Sequence, residues 1–528
     1  MSDNAPDTLV KALQNPELYD HPVKDFRVIE THISQVLLTG DYAYKIKKPM
    51  DFGFLNFSTL ERRKQFCEEE LRLNSRLASE LYLDVLPITG SPEQPRIGGE
   101  GEPFEYAIRM RQFDQDQLFD KRQERGDLTP ELLSSVARQA AQFHDSLPPV
   151  ADDKPLGTPE AVYAAMQENF DQIRPLLDDK ALLDQLDALE AWTRTTFERH
   201  RDLIANRRAD GLVRECHGDL HLANITVFHD QVTVFDCIEF NEPFRFIDVI
   251  NDLAFLLMDL ESRKESVMAN LVLNTYLEHR GDFEGLALLP LYKAYRAMVR
   301  AKIALFTMGN PSLSESEREE LMQRYRDYAQ LAEDYGLIPN PYLLATTGLS
   351  ASGKTCVSAA MAGELDLIRL RSDVERKRLH GLGPLDDSKS GLGTDLYSPE
   401  ATEKTYQHLA QLAEKLLSSG LSVIIDAASL KQAERSQFAE VAENQAVPFA
   451  LLHTEAPEDL RRAWVRNRQG DASEATEELL DAQQHWFEPL TTEEKTHTIH
   501  LHTDQEHVAE AVADRIRQHF GVSPRQSS

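Results

Sequence analysis

The chain has 528 residues, of which 41% are hydrophobic and 27% are charged. That length exceeds what one ordinary hydrophobic core organises, and the composition excludes a largely disordered protein, so two folded domains are expected. Asp and Glu number 88 against 57 Lys and Arg, a net charge of -31 at pH 7 that disfavours nucleic acid and anionic membranes as partners.

The N-terminus, MSDNAPDTLV, lacks the basic and apolar regions of a signal peptide. No apolar run reaches the roughly 20 residues that span a bilayer, so we expect a cytoplasmic protein. The cysteines form no CxxC pair and no zinc-like spacing, and reduced thiols are therefore expected. The cysteines are Cys67, Cys216, Cys237 and Cys356.

The first predicted elements are short strands. Residues 27–48, RVIETHISQVLLTGDYAYKIKK, alternate apolar and polar positions, and the central TGD supplies the chemistry of a hairpin turn. From Ser58 the apolar spacing becomes helical, and Ser58 followed by Glu61 forms a capping-box signature. Another strand is predicted over residues 104–110. The first lobe is therefore predicted to be rich in β-structure.

After residue 129 the pattern is mostly helical, with a loop and two short strands over residues 206–229. The segment GLIPNPY then predicts a domain boundary, which we place between residues 1–337 and residues 338–528. The second domain alternates strands and helices, which predicts a parallel sheet covered by helices. Its predicted elements are a strand over 342–346, a helix after Lys354, a strand over 368–370, a helix over 401–418 and the strand LSVIID.

The second domain contains a phosphate-binding motif. Residues 348–355, GLSASGKT, match GxxxxGK[ST] between an apolar strand and a helix. In this context backbone N–H groups wrap around phosphate oxygens, the lysine neutralises the β and γ phosphates, and the hydroxyl binds Mg²⁺. The predicted ATP-binding residues are Gly348, Ser350, Ser352, Gly353, Lys354 and Thr355, of which Thr355 is also a predicted metal ligand.

Two further segments are candidates for the same site. Asp426 ends the strand LSVIID, where P-loop enzymes place a second acid beside the metal, although a helix cap is the alternative. Arg466 and Arg468 follow at the end of a helix rich in arginine, and they are candidates for a cationic lid over the phosphoryl group. A solvated helix face is the alternative for these arginines.

The segment RSDVERK follows a predicted strand and carries an acid among cations. Asp373 is the candidate acceptor of the hydroxyl proton, and Arg371 or Arg376 is the candidate to hold an anionic group. Residues 341–520 resemble the small P-loop kinases that include gluconate kinase, polynucleotide kinase and the zeta-toxin kinases. This resemblance implies that Asp373 contacts the phosphoryl acceptor.

The second motif is HGDLHLANI, residues 217–225, followed after a strand by VTVFD. A carboxylate at Asp219 can orient and deprotonate an acceptor hydroxyl, while Asn224 and Asp236 can supply oxygen ligands to Mg²⁺. A zinc site at His217 and His221 is the alternative, but Gly218 disfavours the helix it needs and no third ligand is evident.

These residues resemble the HGDxHxxN loop and the downstream metal-binding Asp of aminoglycoside phosphotransferases and choline kinase-like enzymes, over residues 26–310. The resemblance implies that Asp219 is the catalytic base, that Asn224 and Asp236 bind metal, and that the two histidines shape the loop. The metal-binding Asp lies in FDCIEF and not in DFG, and no glycine-rich loop is present. Asp248 and Asp252 either support the loop from behind, cap a helix or lie on the surface.

A kinase of this type also needs a lysine for the α and β phosphates and an acid that positions it. Lys45, in AYKIKK, and Glu70 are the predicted pair because their separation is similar to the family's. Lys47 points to the same face of the strand, and Glu68 and Glu69 adjoin Glu70, so these residues stay as alternatives.

The domain order, together with ETHIS, YKIKKP and FGFLNFSTLERR, resembles the bacterial bifunctional family called aminoglycoside phosphotransferase/ATP-binding protein. The resemblance implies an α+β protein-kinase-like fold followed by an α/β P-loop NTPase fold with a parallel sheet. It implies ATP and Mg²⁺ as cofactors and a small-molecule phosphoryl acceptor, such as a sugar or metabolite. The alternative is that one domain only senses nucleotide and regulates the other.

Overall fold

The computed structural model describes residues 5–31, 33–51, 53, 55–337, 340–388, 395–467, 472–473, 476–504 and 509–521. The chain forms two compact units. The first comprises Met1–Leu132, Phe143–Asp259 and Leu305–Asn310, and the second comprises Leu133–Gln142, Leu260–Ala304 and Pro311–Ser528. The boundary predicted at residue 338 lies inside the second unit, and as a boundary between folding domains it stays a prediction.

The elements up to residue 262 are, in chain order, α1 (Ala5–Ala12), β1 (Arg27–Glu30), β2 (Ser34–Leu38), β3 (Tyr42–Lys47), α2 (Leu60–Asn74), β4 (Tyr82–Ser91), β5 (Gln94–Ile97), β6 (Pro103–Arg111), α3 (Phe119–Glu124), α4 (Pro130–Ser146), α5 (Pro159–Ile173), α6 (Lys180–Ala209), β7 (Val213–Glu215), β8 (Ile225–Phe228), β9 (Gln231–Val234), α7 (Glu242–Arg245), β10 (Phe246–Asp248) and α8 (Val249–Ser262). The predicted strands over 27–48 and 104–110 are thereby confirmed. Strands β4 and β5 were not predicted.

The first unit contains a six-stranded antiparallel sheet in the order β1-β2-β3-β6-β4-β5. Successive side chains of its strands point to opposite faces. On one face Leu38 and Ile108 pack with Cys67 of α2, and on the other Leu37 and Ile46 pack with α1. The central strands are therefore covered on both faces, which explains why β2 is buried at four of its five positions.

Helix α2 begins one residue later than the predicted capping box requires. Thr59 is the N-cap, and its hydroxyl accepts a hydrogen bond from the Arg62 backbone N–H at 3.3 Å. The Ser58 hydroxyl instead donates to Asn56 Oδ1 at 2.6 Å. The capping box predicted at Ser58 and Glu61 is therefore wrong, because Thr59 is the N-cap and the Ser58 hydroxyl is hydrogen-bonded to Asn56.

We expect Thr59→Ala to destabilise the first turn of α2 by about 1 kcal/mol, the usual effect of removing an N-cap oxygen. Ser58→Ala is the matched control, and it should change the stability of this turn by less. Amide hydrogen exchange of the α2 residues measures this locally, which suits a multidomain chain that need not unfold in one transition. A larger effect of Ser58→Ala would contradict the observed cap.

The loop between β7 and β8 carries the HGDLHLANI motif. Two small antiparallel sheets, β7 with β10 and β8 with β9, lie at its two ends. Hydrogen-bonded strands on both sides fix where this loop begins and ends, so its backbone is held at either end.

The elements from residue 266 onward are, in chain order, α9 (Ser266–Arg280), α10 (Leu289–Met308), α11 (Glu315–Asp334), β11 (Leu343–Thr347), α12 (Lys354–Leu365), β12 (Ile368–Arg371), α13 (Ser372–Leu379), α14 (Pro399–Ser418), β13 (Val423–Asp426), α15 (Gln432–Asn444), β14 (Phe449–Glu455), α16 (Glu458–Asn467), α17 (Glu477–Trp486), β15 (Thr498–His502) and α18 (Ala509–Phe520). The predicted alternation of strands and helices is confirmed.

The second unit contains a five-stranded parallel sheet in the order β12-β13-β11-β14-β15. Its core includes Leu344, Ile424 and Leu452 of neighbouring strands, packed with Met361 of α12 and Ile516 of α18. Because the strands are parallel, the segments after β11, β12 and β13 meet at one edge of the sheet. Within the described ranges, no helix combines the length and apolarity needed to cross a bilayer.

Candidate active sites

The loop at residues 217–225 is organised around Asp219. The Asn224 side-chain N–H donates to both the backbone oxygen and the Oδ2 of Asp219, at 3.0 Å each. His221 Nε2 lies 3.2 Å from the same Oδ2. The Asp219 carboxylate is 34% exposed. One oxygen of Asp219 is therefore oriented by neighbours while the side chain still reaches solvent.

His217 connects this loop to the strand that leads to Asp236. Its Nδ1 accepts from the Asp219 backbone N–H at 3.2 Å, and its Nε2 lies 2.8 Å from Phe235 O. A carbonyl oxygen only accepts hydrogen bonds, so Nε2 is the donor in the contact with Phe235. Among the described residues, neither His217 nor His221 belongs to a group of three possible metal ligands. This geometry matches the loop-shaping interpretation of both histidines.

The buried Asp252 supports the loop from below. Its Oδ2 accepts from the His217 N–H at 3.1 Å and its Oδ1 from the Gly218 N–H at 2.8 Å. His144 Nε2 also lies 3.0 Å from Oδ2. Gly218 has φ +86°, and a Cβ there would lie 2.8 Å from Phe244 O, so only glycine fits. Of the interpretations left open for Asp252, support of the loop from behind is the one that these hydrogen bonds show.

Two nearby acids, Asp248 at the end of β10 and Asp259 of α8, have different partners. Asp248 accepts two hydrogen bonds from Arg207, at 2.7 and 2.8 Å. It also accepts from the Ile250 N–H in the first turn of α8 at 2.9 Å, which agrees with the helix-capping interpretation of Asp248. Asp259 was not predicted, yet its Oδ2 accepts from the Leu222 N–H at 3.0 Å. The spacing of seven residues from Asp252 places Asp259 on the same helix face, and this spacing was the signal available in the sequence.

The predicted pair Lys45 and Glu70 is in contact. Lys45 Nζ lies 2.7 Å from Glu70 Oε1 and 2.6 Å from Asp236 Oδ1. The alternative Lys47 also contacts Glu70, at 2.5 Å, and forms a further ion pair with Glu239, which was not predicted. Lys45, which reaches the metal-binding candidate, is 12% exposed, whereas Lys47 is fully buried. The geometry therefore assigns the site-facing position to Lys45.

Of the alternative acids, Glu68 lies on the surface 3.7 Å from Lys64, and Glu69 pairs with Arg72 at 2.7 Å. Neither of these contacts involves Lys45. Glu70 is the acid of α2 that faces the two lysines.

Burial and charge together keep this cluster ionised. Burial alone would raise the pKa of Glu70, but Lys45 and Lys47 lower it to about 2. Burial alone would lower the pKa of Lys45, but the carboxylates of Asp236 and Glu70 raise it well above its ordinary value. Asp236 itself has φ +65°, a left-handed conformation that is rare for a non-glycine residue and is often found at functional sites.

The P-loop of the second unit has no room for a side chain at either of its glycines. Gly348 has φ +147°, and a Cβ there would lie 2.5 Å from Thr454 O. At Gly353, with φ +87°, a Cβ would lie 2.8 Å from Thr503 Cγ2. The Ser352 hydroxyl lies 2.6 Å from Thr454 Oγ1. The ends of β14 and β15 thus fix the loop from behind.

The two other polar groups of the loop have defined partners. Lys354 Nζ donates to the carbonyl oxygens of Gly348 and Leu349, at 2.9 and 2.8 Å. The Ser350 backbone N–H donates to Gln483 Oε1 of α17 at 2.7 Å. Gln483 was not predicted, because nothing in the sequence distinguishes it from a surface glutamine.

A cavity of about 1550 Å³ opens in front of the P-loop. The predicted residues that line it are Ser350, Gly353, Lys354, Thr355, Arg371, Asp373, Arg376 and Asp426. Asp426 is 6% exposed, and its Oδ2 accepts from the Ser358 hydroxyl at 2.9 Å. Arg376 donates to Asp373 Oδ1 at 3.4 Å and lies 5.0 Å from the ring centre of Tyr397. The groups after β11, β12 and β13 therefore face one space.

Of the two predicted lid arginines, Arg466 is described and does not line this cavity. Arg466 is 62% exposed, and its Nε lies 2.7 Å from Glu477 Oε1 of α17. This placement agrees with the alternative that the arginines form a solvated helix face. Trp464 and Asn467 of the same helix line the cavity instead. Arg468 lies outside the described residues.

Both sites offer ligands suited to Mg²⁺. Hard divalent cations bind carboxylate, hydroxyl and amide oxygens. In the first unit Asp236 offers a carboxylate, and Asn224, whose amide nitrogen donates to Asp219, offers its amide oxygen. In the second unit Thr355 and Asp426 offer a hydroxyl and a carboxylate. The donor sets therefore fit the metal that accompanies ATP.

Two family models match the chain. Residues 57–289 match the phosphotransferase enzyme family, and this range contains the 217–225 loop and Asp236. Residues 343–490 match an AAA domain, and this range contains the P-loop, Asp373 and Asp426. The chain joins a phosphotransferase-family domain to a P-loop domain. Both parts of the resemblance seen in the sequence are confirmed, and the protein is a kinase-type phosphotransferase of families that use ATP.

Relatives of the two-domain phosphotransferase span nearly its whole length. An uncharacterized protein of Mycobacterium tuberculosis is 28% identical over 467 residues, covering 88% of this chain and 91% of its own. Among solved structures, a choline/ethanolamine kinase family protein from Mesorhizobium loti is 13% identical with a TM-score of 0.38, covering 62% of this chain and 99% of that one. A sugar kinase from Janibacter sp. HTCC2649 is 21% identical with a TM-score of 0.27, covering 35% and 96%.

Proposed function

We propose that the chain has two separate Mg-ATP sites, each of which transfers the γ-phosphoryl group to a hydroxyl of a small molecule such as a sugar or metabolite. The observation that carries this proposal is that each compact unit brings together its own set of candidate groups: a lysine, a side-chain oxygen ligand and an acid. The matched families make ATP the expected phosphoryl donor. The net charge of -31 disfavours nucleic acid as the acceptor.

In the first site Lys45, held by Glu70, would bind the α and β phosphates, and Asn224 and Asp236 would hold Mg²⁺. Bound Mg²⁺ would neutralise charge on the transferring phosphoryl group. Asp219 would accept a hydrogen bond from the acceptor hydroxyl and take its proton as the new phosphorus–oxygen bond forms, while the bond from the γ-phosphorus to the bridging oxygen breaks and ADP leaves. The Asn224 and His221 contacts to Oδ2 support this role, because they fix the direction of the carboxylate.

In the second site the P-loop N–H groups and Lys354 would bind the β and γ phosphates, with Thr355 and Asp426 at the metal. Asp373 would face the acceptor hydroxyl across the cavity, and Arg376 would bind an anionic group of the acceptor. The contact between Arg376 and Tyr397 supports this, because it holds the guanidinium at the cavity wall.

Isothermal titration of the full chain with Mg²⁺ and a non-hydrolysable ATP analogue tests the proposal. Two binding sites are expected per chain. Lys354→Ala should remove one site and Lys45→Ala the other, since each removes a phosphate-binding cation from a separate fold. Lys48→Ala, a matched control whose ammonium pairs with Glu30 at 2.6 Å, should leave both sites.

A stoichiometry of one nucleotide per chain would contradict the proposal. A phosphorylation screen of hydroxylated metabolites with wild type and the two lysine variants then assigns each acceptor to its site. ATP binding at one site without any acceptor-dependent turnover there would favour the alternative, a nucleotide-sensing module that regulates the other domain.

A further inference from the structure

Strand β12 lies at the edge of the parallel sheet, and an edge strand leaves backbone groups without a partner strand. Helix α9 supplies side chains in place of that strand. Asn274 accepts from the Arg369 N–H at 2.7 Å and donates to Leu367 O at 3.0 Å. Asn270 also donates to Leu367 O, at 3.1 Å. Both asparagines are buried, at 3% and 4% exposure, so α9 is an integral neighbour of this sheet.

Glu278 lies one further turn along the same face of α9. Its Oε1 accepts from Arg369 Nη2 at 2.5 Å, and its Oε2 accepts from Arg371 Nη1 at 3.3 Å. Its side chain is 16% exposed. Burial alone would raise the pKa of Glu278, but the two guanidinium groups lower it below its ordinary value, so the carboxylate is ionised at neutral pH.

Each arginine held by Glu278 reaches one of the candidate metal ligands. Arg369 Nη1 donates to the backbone oxygen of Thr355 at 3.3 Å. Arg371 Nε lies 3.7 Å from Asp426 Oδ2. A guanidinium that moved closer to Asp426 would compete with a divalent cation for the same carboxylate oxygens. The charge of Glu278 opposes that movement, because it attracts Arg371 from the other side.

We propose that Glu278 is a positioning residue of the P-loop site, which holds Arg371 back so that Asp426 is available to Mg²⁺. This inference rests on the proposed Mg-ATP function of the second unit. Glu278 precedes the predicted boundary at residue 338 and lies within residues 57–289, the range matched to the phosphotransferase enzyme family. The P-loop site of this chain therefore extends beyond the AAA match at 343–490.

The test measures Mn²⁺ binding to the full chain in the presence of ADP by electron paramagnetic resonance, with no turnover involved. The P-loop component is the Mn²⁺ site that Lys354→Ala removes. In Glu278→Gln the dissociation constant of that site is expected to rise about tenfold, equivalent to about 1.4 kcal/mol. The Mg²⁺ concentration that half-saturates Lys354-dependent ATP hydrolysis should rise by a similar factor.

A second change separates this role from a merely structural one. In the Glu278→Gln chain, Arg371→Gln should return the Mn²⁺ dissociation constant to within about threefold of wild type, because the competing cation is gone. An ion pair that only anchored α9 would give no such rescue. Glu278→Asp should keep most of the affinity, and Glu284→Gln, at an exposed position of the same unit, should keep all of it.

An unchanged Mn²⁺ dissociation constant in Glu278→Gln, with or without a lower melting temperature, would overturn the inference. If that variant fails to fold, Arg371→Gln alone still decides, since it is expected not to weaken Mn²⁺ binding and a tenfold weakening contradicts the role assigned to Glu278. If Lys354→Ala removes neither Mn²⁺ binding nor ATP turnover, the Mg-ATP function itself is wrong. The two failures are therefore distinguishable.

Discussion

Asp219→Asn is expected to lower acceptor phosphorylation at the first site by about 10³-fold in kcat, within the range for loss of a general base. The substitution keeps the shape of the side chain but removes its basicity, and the proposed metal ligands Asn224 and Asp236 remain. ATP affinity should therefore stay within about threefold of wild type. Steady-state kinetics with the acceptor found in the metabolite screen, and titration with the ATP analogue, measure the two quantities.

Asp230→Asn is the matched control, because Asp230 is an exposed carboxylate in the turn between β8 and β9, just beyond the same loop. It should leave kcat unchanged. A kcat near wild type in Asp219→Asn would show that another group accepts the hydroxyl proton. Equal loss of ATP binding would show instead that Asp219 is needed to hold the loop together.

The sequence singled out the P-loop and the 217–225 loop because the groups of each loop are local in the chain. The P-loop needs left-handed glycines at fixed offsets, and the structure shows the close contacts behind Gly348 and Gly353 that enforce them. The groups of the 217–225 loop are local as well. Gly218 has a left-handed φ, and Asn224 donates to Asp219, five positions before it. Residues that meet within a few positions of one another leave a pattern that can be read without a structure.

Contacts between distant segments were harder to predict. Strand periodicity places Lys45 and Lys47 on one face, and the structure shows that Glu70 binds both. The two lysines differ in their second partner, which is Asp236 for Lys45 and Glu239 for Lys47. These acids lie almost two hundred positions away in the chain, and strand periodicity does not predict contacts over that separation. The sequence could identify the cluster but not the distribution of its ion pairs.

The contacts of helix α9 could not be predicted from the sequence for a different reason. Asn270, Asn274 and Glu278 recur every fourth residue, and a polar stripe of this kind is typical of a solvated helix face. In the structure it is buried against Leu367 and Arg369, where it satisfies the edge of a sheet. A boundary placed from the Pro and Gly content of residues 336–342 cannot register such contacts, because they depend on segments about a hundred positions apart.

Asp373→Ala is expected to lower phosphorylation by the second site by roughly 10²-fold or more, while ATP affinity changes by no more than a few-fold. Asp373 lines the cavity with Lys354 and Thr355, and its carboxylate is 27% exposed. It is the second residue of α13, whose N-cap is Arg371, so it does not cap that helix. Measuring kcat and KM for the acceptor and titrating ATP test the assignment.

Arg376→Ala separates binding from chemistry at this site, since loss of a cation that holds an anionic group should raise the acceptor KM more than it lowers kcat. Asp459→Ala is the matched control for Asp373→Ala, because Asp459 is an exposed acid at the same second position of α16. It removes a first-turn charge without touching the cavity lining, and should leave both constants unchanged. Acceptor kinetics in Asp373→Ala that match those of Asp459→Ala would reduce Asp373 to a first-turn charge that stabilises α13.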